Sequence, residues 1–73
     1  MFRKSFGPFT ATYRKGDSYI NVSAMGVDID VINIAHLPGP TITRAQFLAE
    51  VEDSKDYILN AYDMRDIAML ARY

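Results

Sequence analysis

At 73 residues, with 49% hydrophobic and 23% charged side chains, the chain has the composition of one small globular domain and is too apolar for a disordered segment. It contains no cysteine, which excludes disulfides and thiolate metal sites and leaves the core to hold the fold unaided. A net charge of −1 excludes the basic excess of a dedicated nucleic-acid binder, and the short apolar runs exclude a membrane span or signal peptide, so a cytoplasmic chain is expected.

The pattern alternates with period two from Phe9: Phe9, Ala11 and Tyr13 point one way, Thr10, Thr12 and Arg14 the other. Gly16-Asp17 then suits a type II′ hairpin, because a leading glycine supplies positive φ. Folding there sets Tyr13 opposite Ile20, Ala11 opposite Val22 and Phe9 opposite Ala24, so apolar residues meet on one face. Met25-Gly26 reads as a second two-residue turn. Methionine suits type I′ poorly, which leaves a type I turn with a bulge as the other choice. In the simplest register Ala24 pairs with Val27, Val22 with Ile29 and Ile20 with Val31. The basic segment 1–8 stands ahead of this sheet, and the pattern leaves open whether it is flexible.

Asp28 and Asp30 fall on the face opposite the apolar one, beside serine, threonine and asparagine. They sit about 7 Å apart on an extended strand, and His36 lies about 20 Å beyond Asp30. That is no convergent ligand set, so a solvated strand face is expected rather than a metal site. After Val31 the phase slips, and Ile32 and Ile34 become apolar on the aspartate face. A bulge, cover on both faces, or an exposed patch with Tyr19 would each account for it. Residues 27–35 also read as an edge strand with no charged blocker after Asp30, open to pairing with a second copy. His36-Leu37-Pro38-Gly39-Pro40 ends the sheet as a stiff connector.

Thr43-Arg44-Ala45-Gln46 is a capping box, after which Phe47, Leu48 and Val51 form an apolar stripe. Ile58, Leu59 and Tyr62 continue a buried face, while Met64, Ile67, Ala68 and Ala71 point elsewhere, so a break is expected near Asp63. The fold class expected is α+β: a three-stranded antiparallel meander, about 9–15, 18–24 and 27–35, followed by two or three C-terminal helices packed on one sheet face. All 73 residues form one domain in this reading.

Catalysis has little support. Ser5, Ser18, Ser23 and Ser54 have one histidine to serve them and stand in no nucleophile motif, and no cofactor loop is present. The expectation is a non-enzymatic protein-interaction module without cofactors, bound to a larger protein or nucleoprotein complex and away from membranes. Its interface would draw on Tyr19, Ile32, Ile34, Asp28 and Asp30, and on the acidic helical residues Glu50, Glu52, Asp53 and Asp56. In size and architecture the chain resembles the small phage proteins that bind and block larger host complexes, a likeness of scale that no motif carries. The alternative is a nucleic-acid-binding accessory using the basic, aromatic N-terminal side, with Arg3, Lys4, Arg14 and Lys15 neutralising phosphates.

Overall fold

The computed structural model describes residues 1–62 and residue 65. Along them run β1 (Phe2–Phe6), β2 (Phe9–Tyr13), β3 (Tyr19–Ala24), β4 (Val27–Asn33) and α1 (Arg44–Ala61). The strands form an antiparallel meander of four, in the order β1-β2-β3-β4, with α1 packed against it. This corrects the three-stranded expectation: the N-terminal segment contributes a strand of its own. Gly7, with φ +56°, and Pro8 close the β1–β2 hairpin between the paired Phe6 and Phe9. Positive φ followed by a proline is the dihedral sequence of a type II′ turn.

The β2–β3 register is the expected one, with Phe9 opposite Ala24 and Ala11 opposite Val22. Its turn lies one residue earlier than expected. The Asp17 N–H donates to the Arg14 carbonyl at 3.0 Å and Gly16 has φ +95°. The glycine therefore sits at the third position of Arg14–Asp17, where a type II turn needs positive φ. At the next reversal Met25 (φ 53°) and Gly26 (φ 76°) are both left-handed, which is type I′ despite the methionine.

The larger correction concerns β4. Ala24 pairs with Val27 and Ser23 with Asp28, but Val22 then pairs with Asp30, leaving Ile29 as an extra residue in a bulge. Beyond it the phase reverses, so Ile20 faces Ile32 rather than Val31. Ile32 and Ile34 are consequently core residues, 7% and 4% exposed, while Val31 is 53% exposed. The ladder extends past β4, since the Ile34 N–H donates to the Ser18 carbonyl at 3.1 Å.

The core lies between the sheet and α1, where Phe9, Tyr13, Ile20 and Val22 meet Phe47, Val51 and Ile58. Phe2 sits against both Tyr13 and Phe47, at centroid distances of 6.0 and 5.6 Å, which fastens the β1 edge to the helix. The capping box forms as expected, with the Gln46 N–H donating to Thr43 Oγ1 and the Thr43 N–H to Gln46 Oε1. The helix then runs unbroken to Ala61. Leu48 and Leu59 are not buried with that stripe; both are partly exposed at its margins. The second stripe, Met64, Ile67, Ala68 and Ala71, and the break near Asp63 lie outside the described residues. The connector is tied down by Tyr13, whose hydroxyl donates to Thr41 Oγ1 at 3.1 Å and accepts from the Ile42 N–H at 3.3 Å. The Tyr13 pKa is lowered below its ordinary value, because the Thr41 hydroxyl and the Ile42 N–H can both donate to its oxygen once it is ionised.

Candidate functional site

Because one face of the sheet is committed to α1, alternation turns every second residue outward, and among the described residues no element covers that outer face. Its side chains fall into rows that cross the sheet. Ser5, Thr10, Ser23 and Asp28 stand opposite one another in succession across all four strands. Arg3, Thr12, Asn21 and Val31 make the next row, and Tyr19 opposite Asn33 begins a third. The middle of the face is thus small and polar, while Arg3, Tyr19 and Val31 gather toward one end. Tyr19 and Val31 lie diagonally across β3 and β4, about 7–8 Å apart on this pleat. Beside them a shallow concavity of about 370 Å³ is lined by Met1, Arg3, Thr12, Arg14, Asp17, Tyr19, Asn21 and Asp28.

This end of the sheet draws residues from both readings of the sequence. Tyr19 and Asp28, expected at a protein interface, share the concavity with Arg3 and Arg14, expected to meet phosphates. The structure does not bring Lys4 there: it pairs with Ala11 and belongs to the helix side of the sheet. Lys15 lies in the Arg14–Asp17 turn and is not among the concavity's lining residues. Ile32 and Ile34 are removed from any surface, because the bulge places them in the core. The outer-face residues that sequence reasoning missed are Val31 and Met1. Val31 was hidden by the bulge, and its signal was the phase slip that follows it; Met1 offered no signal.

The two aspartates part company. Asp28 stays on the outer face, where its Oδ1 accepts from Asn21 Nδ2 at 2.9 Å. Asp30, expected beside it, pairs with Val22 and turns to the helix side. Its Oδ2 accepts from the Tyr62 hydroxyl at 2.9 Å, and its Oδ1 from the Val31 N–H at 2.7 Å. The hydrogen bond to Asp30, followed by partial burial, raises the Tyr62 pKa above its ordinary value.

On α1 the acidic residues are spread rather than convergent. Glu50 meets His36 at 3.3 Å and thereby ties the connector to the helix. Glu52 holds Lys55 at 2.8 Å and raises its pKa. Asp53 and Asp56 are exposed. Among the described residues no three His, Asp or Glu side chains cluster closely enough to hold a metal ion. Nor, among them, is any helix long and apolar enough to cross a membrane. Compared with protein-family models, with curated proteins and with solved structures, the chain matches none.

Proposed function

We propose that this chain is a non-enzymatic protein-binding module that lays the open face of its sheet against a larger protein or nucleoprotein complex. It would act as an inhibitor or accessory by covering a surface, as small phage inhibitors do. The observation that carries the reading is the gathering of Met1, Arg3, Arg14, Tyr19 and Val31 at one end of an otherwise small and polar face. Tyrosine, methionine and arginine are the residue types enriched in protein interfaces, and tyrosine and arginine dominate their energetic centres. Tyr19 and Val31 are 42% and 53% exposed, so both have apolar area left to bury.

Affinity capture from cells that carry the gene tests this, with wild-type, Tyr19→Ala and Val31→Asp proteins as bait. A partner held in fixed stoichiometry by the wild type should be lost from both variants, each weakening binding by about tenfold or more. Equal retention by all three baits refutes the assignment of the face.

A second reading has its own observation: Arg3 and Arg14 share the concavity with Tyr19, which supplies two cations beside one stacking ring. Two phosphate contacts predict weak duplex binding that falls only about tenfold between 50 and 200 mM salt. Retention of heterologous nucleic acid with that slope, and its loss on Arg3→Glu, would decide for this reading over the first.

A further inference from the structure

Among the described residues β4 is the outer strand on its side of the sheet, and an edge strand offers unpaired N–H and C=O groups to any second strand. The Ile34 N–H turns inward to Ser18, so by alternation Ile32 also turns inward, and Val31 and Asn33 direct their backbone groups outward. One of those outward groups is already occupied. The Val31 N–H donates to the Asp30 carboxylate at 2.7 Å. The bulge frees a further carbonyl, that of Ile29, and the single Tyr62 hydroxyl hydrogen is shared between it, at 3.1 Å, and Asp30 Oδ2, at 2.9 Å. Tyr62 is itself anchored at the end of α1. Its N–H bonds the Ile58 carbonyl at 3.3 Å, and its ring lies edge-on to Phe9 at 6.2 Å.

We infer that Asp30 and Tyr62 form an edge guard: together with the Ile29 bulge they keep β4 from pairing with the β4 strand of a second copy, and releasing them opens that edge to self-association. A second copy is the occupant because the same edge on both chains can pair antiparallel about a two-fold axis. Past Asp30 the strand carries only Val31, Ile32 and Asn33, with no charge to repel its own image. The opposite edge differs. β1 carries exposed Arg3 and Lys4 in mid-strand, charges that discourage pairing without help from another element. The homodimer through 27–35 that the sequence left open is therefore conditional on breaking the guard.

Two measurements test it. In the wild-type protein the Val31 amide should exchange with solvent about tenfold or more slowly than that of Asn33, since a bond to a carboxylate is among the stronger ones. The variant Tyr62→Phe keeps the ring against Phe9 and removes only the donor, and Asp30→Ala removes the acceptor. Both should remain folded by circular dichroism and rise in mass toward two chains at concentrations near about 1 mM, where the wild type stays a single chain. If one variant fails to fold, the other decides. Folded variants that stay single at every concentration overturn the inference, as does a Val31 amide exchanging as fast as Asn33, or a wild type that pairs as readily as the variants.

Discussion

The bulge at Ile29 makes a quantitative claim about two adjacent residues. Ile32 is 7% exposed and faces Ile20, whereas Val31 is 53% exposed and faces Asn21 on the outer side of the sheet. Truncating a buried isoleucine to alanine costs about 2–5 kcal/mol, the sum of lost transfer energy and the cavity left behind. Truncating an exposed strand valine costs about 0.5 kcal/mol, or up to about 1 where strand propensity counts. A domain of this length has about 4–11 kcal/mol of stability in all, so Ile32→Ala should remove a large share and Val31→Ala almost none. Thermal unfolding reads the difference directly, because 1 kcal/mol moves the midpoint of a small domain by about 4–8 °C. Ile32→Ala should fall by about 10 °C or more and Val31→Ala by less than about 8 °C. In a regular ladder Val31 would be the buried residue and the order would reverse. A midpoint for Val31→Ala at or below that of Ile32→Ala therefore refutes the bulge and the outer-face assignments built on it.

Met25 holds a left-handed conformation with its side chain 56% exposed, so Met25→Asn, the residue preferred ahead of glycine in a type I′ turn, should raise stability by about 1 kcal/mol in urea unfolding. Thr43→Ala removes the hydroxyl that caps α1 and should lower stability by about 1 kcal/mol, visible as a lower urea midpoint with an unchanged slope. The Tyr62 pKa is raised above 10.0, so its contribution is complete below that value and is lost as pH climbs through the folded pKa. Tyr62→Phe should therefore lose less stability than the wild type between about pH 9 and about pH 11, followed by urea midpoints.

What the sequence disclosed depended on how local the cause was. The β2–β3 register was legible because a one-residue slip would part Phe9, Ala11, Val22 and Ala24 from their common face, and Gly16 marks the reversal that chooses among the rest. The capping box was legible because Thr43 and Gln46 lie three residues apart and satisfy each other. β1 was not, because an edge strand buries little: Arg3, Lys4 and Ser5 are all exposed, and only Phe2 and Phe6 reach the core. Its signal was the Gly7-Pro8 turn between two aromatics. Leu59 covers that turn from the helix, close enough that a Cβ on Gly7 would meet its Cδ2 at 2.8 Å. The outer face was least legible. Its rows take one residue from each of four strands, and the sequence cannot rank Val31 above Ile32 until the bulge decides which faces Ile20. That decision also draws on Tyr62, whose hydroxyl takes up the Ile29 carbonyl from 33 residues away.

Deleting Ile29 separates the two possible ladders in one experiment. In the bulged strand Ile29 has no partner of its own, so its removal lets Asp28 and Asp30 follow each other opposite Ser23 and Val22. Every pairing beyond stays in place: Val31 with Asn21, Ile32 with Ile20, Asn33 with Tyr19. The cost is the half-buried Ile29 side chain and the carbonyl that Tyr62 binds, about 1–3 kcal/mol, with the fold retained. In a regular ladder the same deletion would shift the rest of the strand by one residue. That shift would take Val31 off the core face and bring Ile32 and Ile34 onto it, so the faces of Val31 and Ile32 would exchange between the wild type and the variant. A deletion variant that folds with a modest loss, with Ile32 meeting Ile20 by methyl NOEs as in the wild type, is the expected result. Ile32 meeting Ile20 in the variant but Val31 meeting it in the wild type would show that Ile29 occupies a ladder position after all. The outer face and the guarded edge would then both need another origin.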